Sequence, residues 1–324
     1  MRAVLCKALG PPASLVVEDV PALQPGPGEV VIGVKACSVN FPDVLIIQGK
    51  YQYKPPLPFS PGREAAGPIL RIGPGVSQFK VGERVMANLE TGGFAEEAIA
   101  KVERVVPIPD GLNDVLASAF VMTYGTSLHA LKDRGRLARG QTLLVLGAAG
   151  GIGIASIEIG KLFGAQVIAA ASSEEKLALC REHGADATVN YSTESMRDRL
   201  HELTSDRGVD VICDPVGGPY TEPALRAMAW GGRLLVVGFA AGEIPRIPLN
   251  LPLLKGCDIV GVSWGGFLKR DPRQTQAHLD ELVSLYRTGK LKPPVTAIYP
   301  LERVPEALTD MMERRVKGKV VIVP

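Results

Sequence analysis

The stretch QTLLVLGAAGGIGIASIEIGKLFGAQVIAAASSEEK, residues 141–176, decides the fold of this chain. It begins with an apolar, β-prone run at Thr142–Leu146, and the glycine-rich segment 147–153 follows at once. Apolar residues then recur near helical spacing, and a second β-prone run occupies Gln166–Ala171. The order strand, glycine turn, helix, strand predicts a βαβ unit.

The glycines in this unit have a chemical reason. A pyrophosphate reaches unpaired N–H groups at a helix N-terminus only where no Cβ intervenes, and the last glycine lets the helix pack closely on the strand. The pattern here is AxGxxG, with Ala148 at its first position and Gly147 before it. We therefore predict a dinucleotide site, and the alternative is a glycine turn without a ligand. The residues predicted to contact the pyrophosphate are Ala149, Gly150, Gly151 and Ile152.

The end of the second strand indicates which dinucleotide is bound. NAD-specific sites place a carboxylate there to bond the ribose hydroxyls, whereas this chain has Ala171, Ser172 and Ser173. No acid repels a 2′-phosphate, and the hydroxyls and Lys176 can donate to it. The sequence predicts NADP(H). The alternative for Lys176 is a solvated lysine in the first turn of a helix.

Length and composition restrict the class of protein. A chain of 324 residues is long for one core and favours two domains. Hydrophobic residues make up 46%, charged residues 22%, and the net charge is +2. Near-neutrality gives no reason to expect nucleic acid or an anionic membrane as a partner. The expected partner is a small-molecule electrophile.

Cysteine usage indicates the compartment. The five cysteines are scattered and include no CxxC pair, which argues against a disulfide framework and a zinc knuckle. The longest uncharged run, Gly140–Ile157, is the glycine turn itself and not a membrane span. We expect a soluble protein in a reducing compartment, the cytoplasm.

Proline usage divides the chain. Fourteen of 26 prolines fall in residues 1–110, three in 111–240 and nine after that. The first part shows short strands between Pro and Gly turns, which indicates a β-rich domain. We predict this domain at 1–115, completed by 290–324, and a Rossmann domain at 116–289, an α/β fold with a doubly wound parallel sheet. After Ala171 the predicted elements are helix 174–183, strand 187–190, helix 194–203, strand 209–213, helix 220–230, strand 233–237 and strand 258–262.

Several motifs make the chain recognisable. They are ACSVNFPDVLIIQGKY (36–51), PFSPGREAAG (58–67), TYGTSLHAL (123–131), GAAGGIG (147–153), DPVGG (214–218) and GGRLLVVGFAAG (231–242). Over its whole length the chain resembles the zinc-independent, zeta-crystallin-like quinone oxidoreductases of the medium-chain dehydrogenase/reductase superfamily. The resemblance implies a GroES-like β domain, a Rossmann domain, substrate in the cleft and a homodimer formed by strand 258–262.

Zinc ligands are missing at the positions that alcohol dehydrogenases of this superfamily use. Asn40 and Arg63 stand where Cys and His would be needed, beside Glu64, and residues 115–130 contain no cysteine. An arginine cannot ligate, and one glutamate cannot complete a tetrahedral N/S site. We expect no catalytic metal, and therefore hydride donation to an acceptor that is already electrophilic.

The resemblance also assigns site residues. It implies that Asn40 and Thr126 border the nicotinamide, and that Ser172, Lys176 and Tyr191 surround the 2′-phosphate. The turn after strand 209–213 contributes Val216, and Gly238, Phe239 and Trp264 line the nicotinamide pocket. Other interpretations stay open. Asn40 can be a helix cap, Tyr191 a rim residue, and Phe239 and Trp264 core residues.

Tyr51 and Tyr53 lie in a loop that the resemblance places over the cleft, where they would supply an aromatic wall or a phenolic proton. None of the four histidines falls in a stretch expected near the nicotinamide. Quinone reduction needs no dedicated acid, since water can protonate the hydroquinone, whereas reduction of an activated alkene requires protonation of carbon.

Three functions follow. The first is NADPH-dependent two-electron reduction of a quinone, with Asn40, Tyr51 and Tyr53 as catalytic candidates. The second is NADPH-dependent reduction of an enal, enone or enoyl thioester. The third is a nucleotide-binding protein with a structural or RNA-binding role, which the low net charge and the absence of Lys/Arg runs disfavour.

Overall fold

The computed structural model describes all 324 residues. Its strands are β1 Arg2–Leu5, β2 Val16–Asp19, β3 Glu29–Gly33, β4 Ala36–Ser38, β5 Glu64–Ile72, β6 Arg84–Asn88, β7 Glu97–Lys101, β8 Val105–Pro107, β9 Thr142–Leu146, β10 Gln166–Ala171, β11 Ala187–Asn190, β12 Val209–Asp214, β13 Met228–Val236, β14 Asp258–Gly261, β15 Val295–Pro300 and β16 Lys319–Val323. Its α-helices are α1 Phe41–Ile47, α2 Asp114–Ala117, α3 Val121–Leu128, α4 Gly151–Leu162, α5 Glu174–Glu182, α6 Met196–Thr204, α7 Thr221–Arg226, α8 Asn250–Lys255, α9 Trp264–Arg270, α10 Pro272–Arg287 and α11 Val304–Met312.

The chain forms two compact units. One contains Met1–Met122 and Pro293–Pro324, and the other contains Thr123–Lys292. The first unit is thus built from both ends of the chain, and the division falls within α3. No helix is long and apolar enough to cross a membrane.

The second unit is built on a six-stranded sheet with the order β11-β10-β9-β12-β13-β14, in which every pair is parallel. Strand β9 is central, and its Leu143 pairs with Val167 on one side and Val211 on the other. The order reverses between β9 and β12, which is the Rossmann arrangement. The predicted doubly wound parallel sheet is confirmed.

One predicted element of this unit is wrong. A helix was expected over 220–230, but α7 ends at Arg226 and β13 begins at Met228, which pairs with Val209. Trp230 therefore lies in the strand, with 81% of its surface exposed. The local helix propensity of residues 228–230 is overridden here, because these residues can pair with β12. The other predicted helices and strands of this unit are present with ends shifted by a few residues.

The first unit is a β-rich fold around an eight-stranded sheet, whose main path is β15-β16-β4-β5-β3-β7, with β6 and β8 continuing from β5. Strand β16 pairs antiparallel with β4, Ile322 opposite Cys37. The C-terminal strand thus lies in the same unit as the N-terminal part of the chain. The β-rich domain also contains α1, which the sequence reading did not identify.

Candidate cofactor and substrate site

The predicted cofactor residues of the second unit collect at one edge of its sheet. Gly147 follows β9, Ser172 follows β10, Tyr191 follows β11, Val216 lies just after β12 and Gly238 just after β13. Because the strands are parallel, their carboxyl ends meet at this edge, and ligands of open α/β sheets bind there at the reversal of strand order.

The glycine turn leaves a cradle at this edge. Gly147 has a φ of +57°, and a methyl group on it would lie 2.6 Å from Cγ2 of Val216. Gly150 is the N-cap of α4, and its N–H donates to the Gly147 carbonyl at 3.0 Å. The first N–H groups of α4, from Gly151 and Ile152, have no acceptor within the helix. These free donors at the positive end of a 12-residue helix fit a pyrophosphate.

A second polar group follows β10. The ammonium Nζ of Lys176 lies 3.3 Å from Oγ of Ser172, while Ser173 caps α5 by accepting the Lys176 N–H. Ser172 and Lys176 are therefore brought together, one turn of helix apart and beside the strand end. No carboxylate stands between Ala171 and Ser173. A hydroxyl and an ammonium at this distance can bind the same phosphate oxygen.

Tyr191 lies next to Tyr220, with ring centroids 4.4 Å apart and planes inclined by 46°. The two rings border a cavity of about 710 Å³, which is also lined by Arg197 and Arg246. Tyr191 is thus half-buried and packs on Tyr220. This environment is compatible both with a rim residue and with a residue that contacts the adenine.

The turn after β12 is organised by Asp214, which sequence reasoning did not count among the site residues. Its Oδ1 accepts the N–H groups of Val216 and Gly217, each at 2.8 Å, and its Oδ2 accepts the hydroxyl of Thr221 at 2.6 Å. Burial raises the pKa of Asp214, and these donors act in the opposite direction. The fixed turn presents Val216 to Gly147, and a methyl group on Gly217 would lie 2.8 Å from Cδ1 of Phe239.

Trp264 packs on α3 beside Thr126. A methyl group on Gly125, the preceding residue, would lie 2.5 Å from Cζ2 of Trp264, so only glycine permits this approach. Thr126 and Trp264 are both buried. The indole Nε1 is a buried donor with no acceptor in the protein, and such a donor costs free energy unless a ligand accepts from it. The contact of Thr126 and Trp264 with the nicotinamide stays a prediction.

The first unit holds Asn40 in a buried polar network. The Oδ1 of Asn40 accepts from Nζ of Lys319 at 2.7 Å, and its Nδ2 donates to the carbonyl and the hydroxyl of Ser38. Its backbone N–H donates to Asp43 at the start of α1, so Asn40 is also the N-cap. Asn40 therefore acts as a helix cap, and its contact with the nicotinamide stays a prediction. The side-chain oxygen, with a second lone pair, is better placed to accept from a ligand than Nδ2 is to donate.

Glu64 completes this network. Its two oxygens accept from the hydroxyl of Ser38 and the N–H of Met122, each at 2.8 Å, and Nζ of Lys319 lies 3.9 Å away. Burial raises the pKa of Glu64 and lowers the pKa of Lys319, while the attraction between the two charges opposes both changes. The ammonium balances a buried carboxylate.

These residues do not fit a zinc ion. The ammonium of Lys319 occupies the space beside Asn40 and Glu64, and neither oxygen of Glu64 lacks a donor. Burial raises the pKa of the nearby Cys37 thiol well above its usual range, so it supplies no thiolate. Arg63 lies with its Cζ 4.9 Å from the centre of the Tyr51 ring. The charged groups Lys319 and Arg63 are thus cations, whereas a metal ion would need anionic or neutral donors.

The two predicted tyrosines differ in environment. Tyr51 packs against the core of the first unit and receives the Arg63 guanidinium on its ring, whereas Tyr53 is exposed. The structure thus brings Tyr51 and Arg63 together and leaves Tyr53 outside this contact. Lys319, the residue most closely bound to Asn40, was missed. Its only sequence signal is a lysine within the apolar strand KVVIV.

Together the fold and this sheet edge define a dinucleotide-binding Rossmann unit joined to a GroES-like unit. Two family profiles agree: the alcohol dehydrogenase GroES-like domain matches residues 26–110, and the zinc-binding dehydrogenase domain matches residues 151–284.

Relatives refine this class. The chain is 41% identical to a Quinone oxidoreductase-like protein 2 homolog of Nematostella vectensis, over 99% of this chain and 88% of that protein. A probable oxidoreductase from Mycobacterium abscessus is 38% identical and superposes with a TM-score of 0.90, covering 100% of this chain and 99% of the other. Escherichia coli quinone oxidoreductase complexed with NADPH is 25% identical with a TM-score of 0.95, covering 100% of both chains. The chain belongs to the quinone oxidoreductase family of the medium-chain dehydrogenase/reductase superfamily.

We predict a pH dependence of stability from Asp43. Burial raises its pKa from 3.8 to about 6, although Asn40, Arg63, Lys319 and Gly62 oppose the rise. Between these values the unfolded chain has lost a proton that the folded chain keeps, so folding becomes less favourable as the pH rises. The unfolding free energy of the wild type, relative to Asp43→Asn, should fall by about 2–3 kcal/mol from pH 4 to pH 7.

Urea unfolding at several pH values measures this difference. Asp19→Asn, at an exposed position, is the control and should leave the pH profile of the wild type unchanged. A constant difference between wild type and Asp43→Asn across the range would contradict the assignment.

Proposed function

We propose that this protein is an NADPH-dependent oxidoreductase that transfers hydride to quinones without a catalytic metal. The observation that carries the cofactor assignment is the pairing of Ser172 with Lys176 at the end of β10, where the residues that end the strand, 171–173, include no carboxylate. The name of the relatives and the NADPH bound to the Escherichia coli enzyme support the same assignment.

Different residues of the chain would bind different parts of NADPH. The N–H groups of Gly151 and Ile152 would bond the pyrophosphate, and Ala149 and Gly150 would let it approach. Ser172 and Lys176 would bond the 2′-phosphate, and Tyr191 would contact the adenine. NADPH is then preferred over NADH because two donors can bond its 2′-phosphate and no acid at the end of β10 repels that phosphate.

The nicotinamide end would lie among Thr126, Val216, Gly238, Phe239 and Trp264. Thr126 and the unpartnered Nε1 of Trp264 supply donors to a carboxamide, and Phe239 and Val216 supply apolar surface. When bound, NADPH supplies a hydride. The role of these residues is to orient the ring and exclude water, which contributes through proximity and alignment.

The network around Asn40 supports chemistry without a Lewis acid. The charge of Lys319 is balanced by Glu64, and the Arg63 guanidinium supplies positive charge at the ring of Tyr51. Positive charge favours an acceptor that becomes anionic as hydride arrives. A quinone is such an acceptor, since its oxygens carry the new charge and can then be protonated from water.

Reduction of an activated alkene is the second candidate, and one contact favours it. The Arg63 guanidinium lies over the Tyr51 ring and holds it in place, and the Tyr51 hydroxyl would be the proton donor to carbon. The two functions differ in whether that proton is required.

A homodimer is proposed from the free edge of the second unit's sheet. Strand β14 has no neighbour on one side, and its Ile259 is 43% exposed. Trp230 and Leu253 lie exposed on the adjoining β13 and α8, with Leu253 at 77%. An apolar edge strand is prone to pair with another chain, and a two-fold axis would cover both copies.

We propose that the protein is located in the cytoplasm. All five cysteines are buried free thiols, and thiols in this state suit a reducing environment.

The cofactor proposal predicts a selective effect of Lys176→Ala. Loss of a charge-assisted hydrogen bond to phosphate should raise the KM for NADPH by about 10–100-fold, and the KM for NADH should stay within about twofold. Steady-state kinetics with both cofactors measures the effect. Lys290→Ala, at an exposed position, is the control. Equal losses with NADPH and NADH would refute the assignment of the phosphate site.

The choice of acceptor predicts the effect of Tyr51→Phe, which keeps the ring over Arg63 and removes the proton. If quinone reduction is the function, turnover should fall only modestly, and Tyr51→Ala should be worse because packing is lost. If alkene reduction is the function, Tyr51→Phe should lose about 100-fold or more, within the range of general acid catalysis. Tyr53→Phe is the comparison. A large loss in Tyr51→Phe with unchanged NADPH affinity would replace the quinone assignment with the alkene one.

The dimer proposal predicts that light scattering at micromolar concentration gives twice the 34.4 kDa chain mass. Ile259→Lys should shift the protein toward the monomer mass, because two copies of the new charge would face each other across the axis. Val81→Lys, at an exposed apolar residue of the first unit, should not. A monomeric wild type would refute the proposal.

A further inference from the structure

Three side chains that can ligate a metal meet in the second unit. His129 and Asp133 lie on the π-helical segment His129–Arg134, which continues α3, and His278 lies on the buried stripe of α10. Nδ1 of His129 and Nε2 of His278 are each 2.7 Å from Oδ2 of Asp133. All three ligand atoms lie within 4.8 Å of one another.

The donor set suits one class of ion. Two imidazole nitrogens and one carboxylate oxygen bind Zn²⁺ and the neighbouring first-row divalent ions, and they leave at least one position open. Bonds of about 2.0–2.1 Å in tetrahedral geometry hold ligand atoms roughly 3.3–3.5 Å apart. The two 2.7 Å contacts would each have to lengthen by less than about 1 Å. The side chain of Asp133 is 28% exposed, so it can move and an ion can enter from solvent.

The surroundings fix both imidazoles. The ring of His129 stacks on Phe267 with centroids 4.1 Å apart, and His278 is fully buried. Nδ1 of His278 lies 3.4 Å from the side-chain amide of Gln274. If that amide is turned so that its oxygen faces the ring, it accepts Nδ1–H and directs the Nε2 lone pair at the ion, as outer partners of metal-bound histidines do.

The charges around the cluster are also compatible with an ion. Arg134, on the same segment, is positively charged like the ion and would repel it. Its Nε, however, donates to the carbonyl of Gly261. Asp133 supplies the negative charge that offsets part of the ion's.

We propose that His129, Asp133 and His278 bind one divalent transition metal ion of the Zn²⁺ class. The ion would connect the π-helical segment to α10 and would take no part in hydride transfer. Its role is to stabilise the folded second unit, because an ion that binds only the folded chain raises the melting temperature.

Cobalt titration of the chelator-treated full-length protein tests this proposal. The wild type should bind one equivalent of Co²⁺, show the visible absorption of cobalt bound by nitrogen and oxygen, and lose it on addition of Zn²⁺. Saturating Zn²⁺ should raise Tm by about 3 °C or more. Asp133→Asn and His129→Gln should each weaken Co²⁺ binding by at least about tenfold, because each variant loses one ligand.

The control is His201→Gln, which alters a histidine that is paired with only one carboxylate, Asp206, at the surface. It should bind Co²⁺ as the wild type does. Wild-type binding no tighter than that of Asp133→Asn, or an equal loss in His201→Gln, would overturn the proposal.

A chemical measurement decides the matter if the variants do not fold. Zn²⁺ should protect His129 of the wild type from diethyl pyrocarbonate, read by peptide mass, and leave His201 as reactive as before. Equal modification of His129 with and without Zn²⁺ would overturn the proposal.

Discussion

The structure depends on how closely α4 approaches the end of β9. A methyl group on Gly153 would lie 2.3 Å from the carbonyl oxygen of Ala148, so this helix can start where it does only with glycine at that position. The approach sets the N-terminus of α4 at the edge where the strand order reverses. Unpaired N–H groups, Val216 and the Ser172–Lys176 pair then face the same edge, and a dinucleotide site follows from one steric condition.

The first unit satisfies a different constraint, the burial of charge. Glu64 is fully buried and must be compensated, and the compensation is the ammonium of Lys319, delivered from the last strand of the chain. Burying an ammonium beside a carboxylate is tolerable because each also has neutral hydrogen-bond partners, Asn40 for Lys319 and Ser38 for Glu64. The pairing of β16 with β4 is thus required both for the fold and for the position of Asn40.

Sequence patterns predicted the parts that local periodicity and turn chemistry control. The βαβ unit, the parallel sheet and the clustering of Ser172, Val216 and Gly238 at strand ends follow from residues close together in the chain. Lys319 was missed because it pairs with Asn40, 279 residues away, and no local pattern signals that contact. The helix over 220–230 was wrong for a related reason: Met228 joins the ladder of β12, which local propensity does not include. Asp214 was missed as a site residue because an aspartate before a turn is common, and only its three accepted bonds show what it holds.

We propose that a cofactor held at the glycine turn delivers hydride to an acceptor without help from a metal. The most direct measurement is the oxidation of NADPH by the chelator-treated protein with a benzoquinone, with an enone and without an acceptor, in parallel. The account predicts rapid oxidation with the quinone, much slower oxidation with the enone, and none above background without an acceptor. Activity that appears only after Zn²⁺ is restored, or no acceptor-dependent oxidation at all, would contradict it.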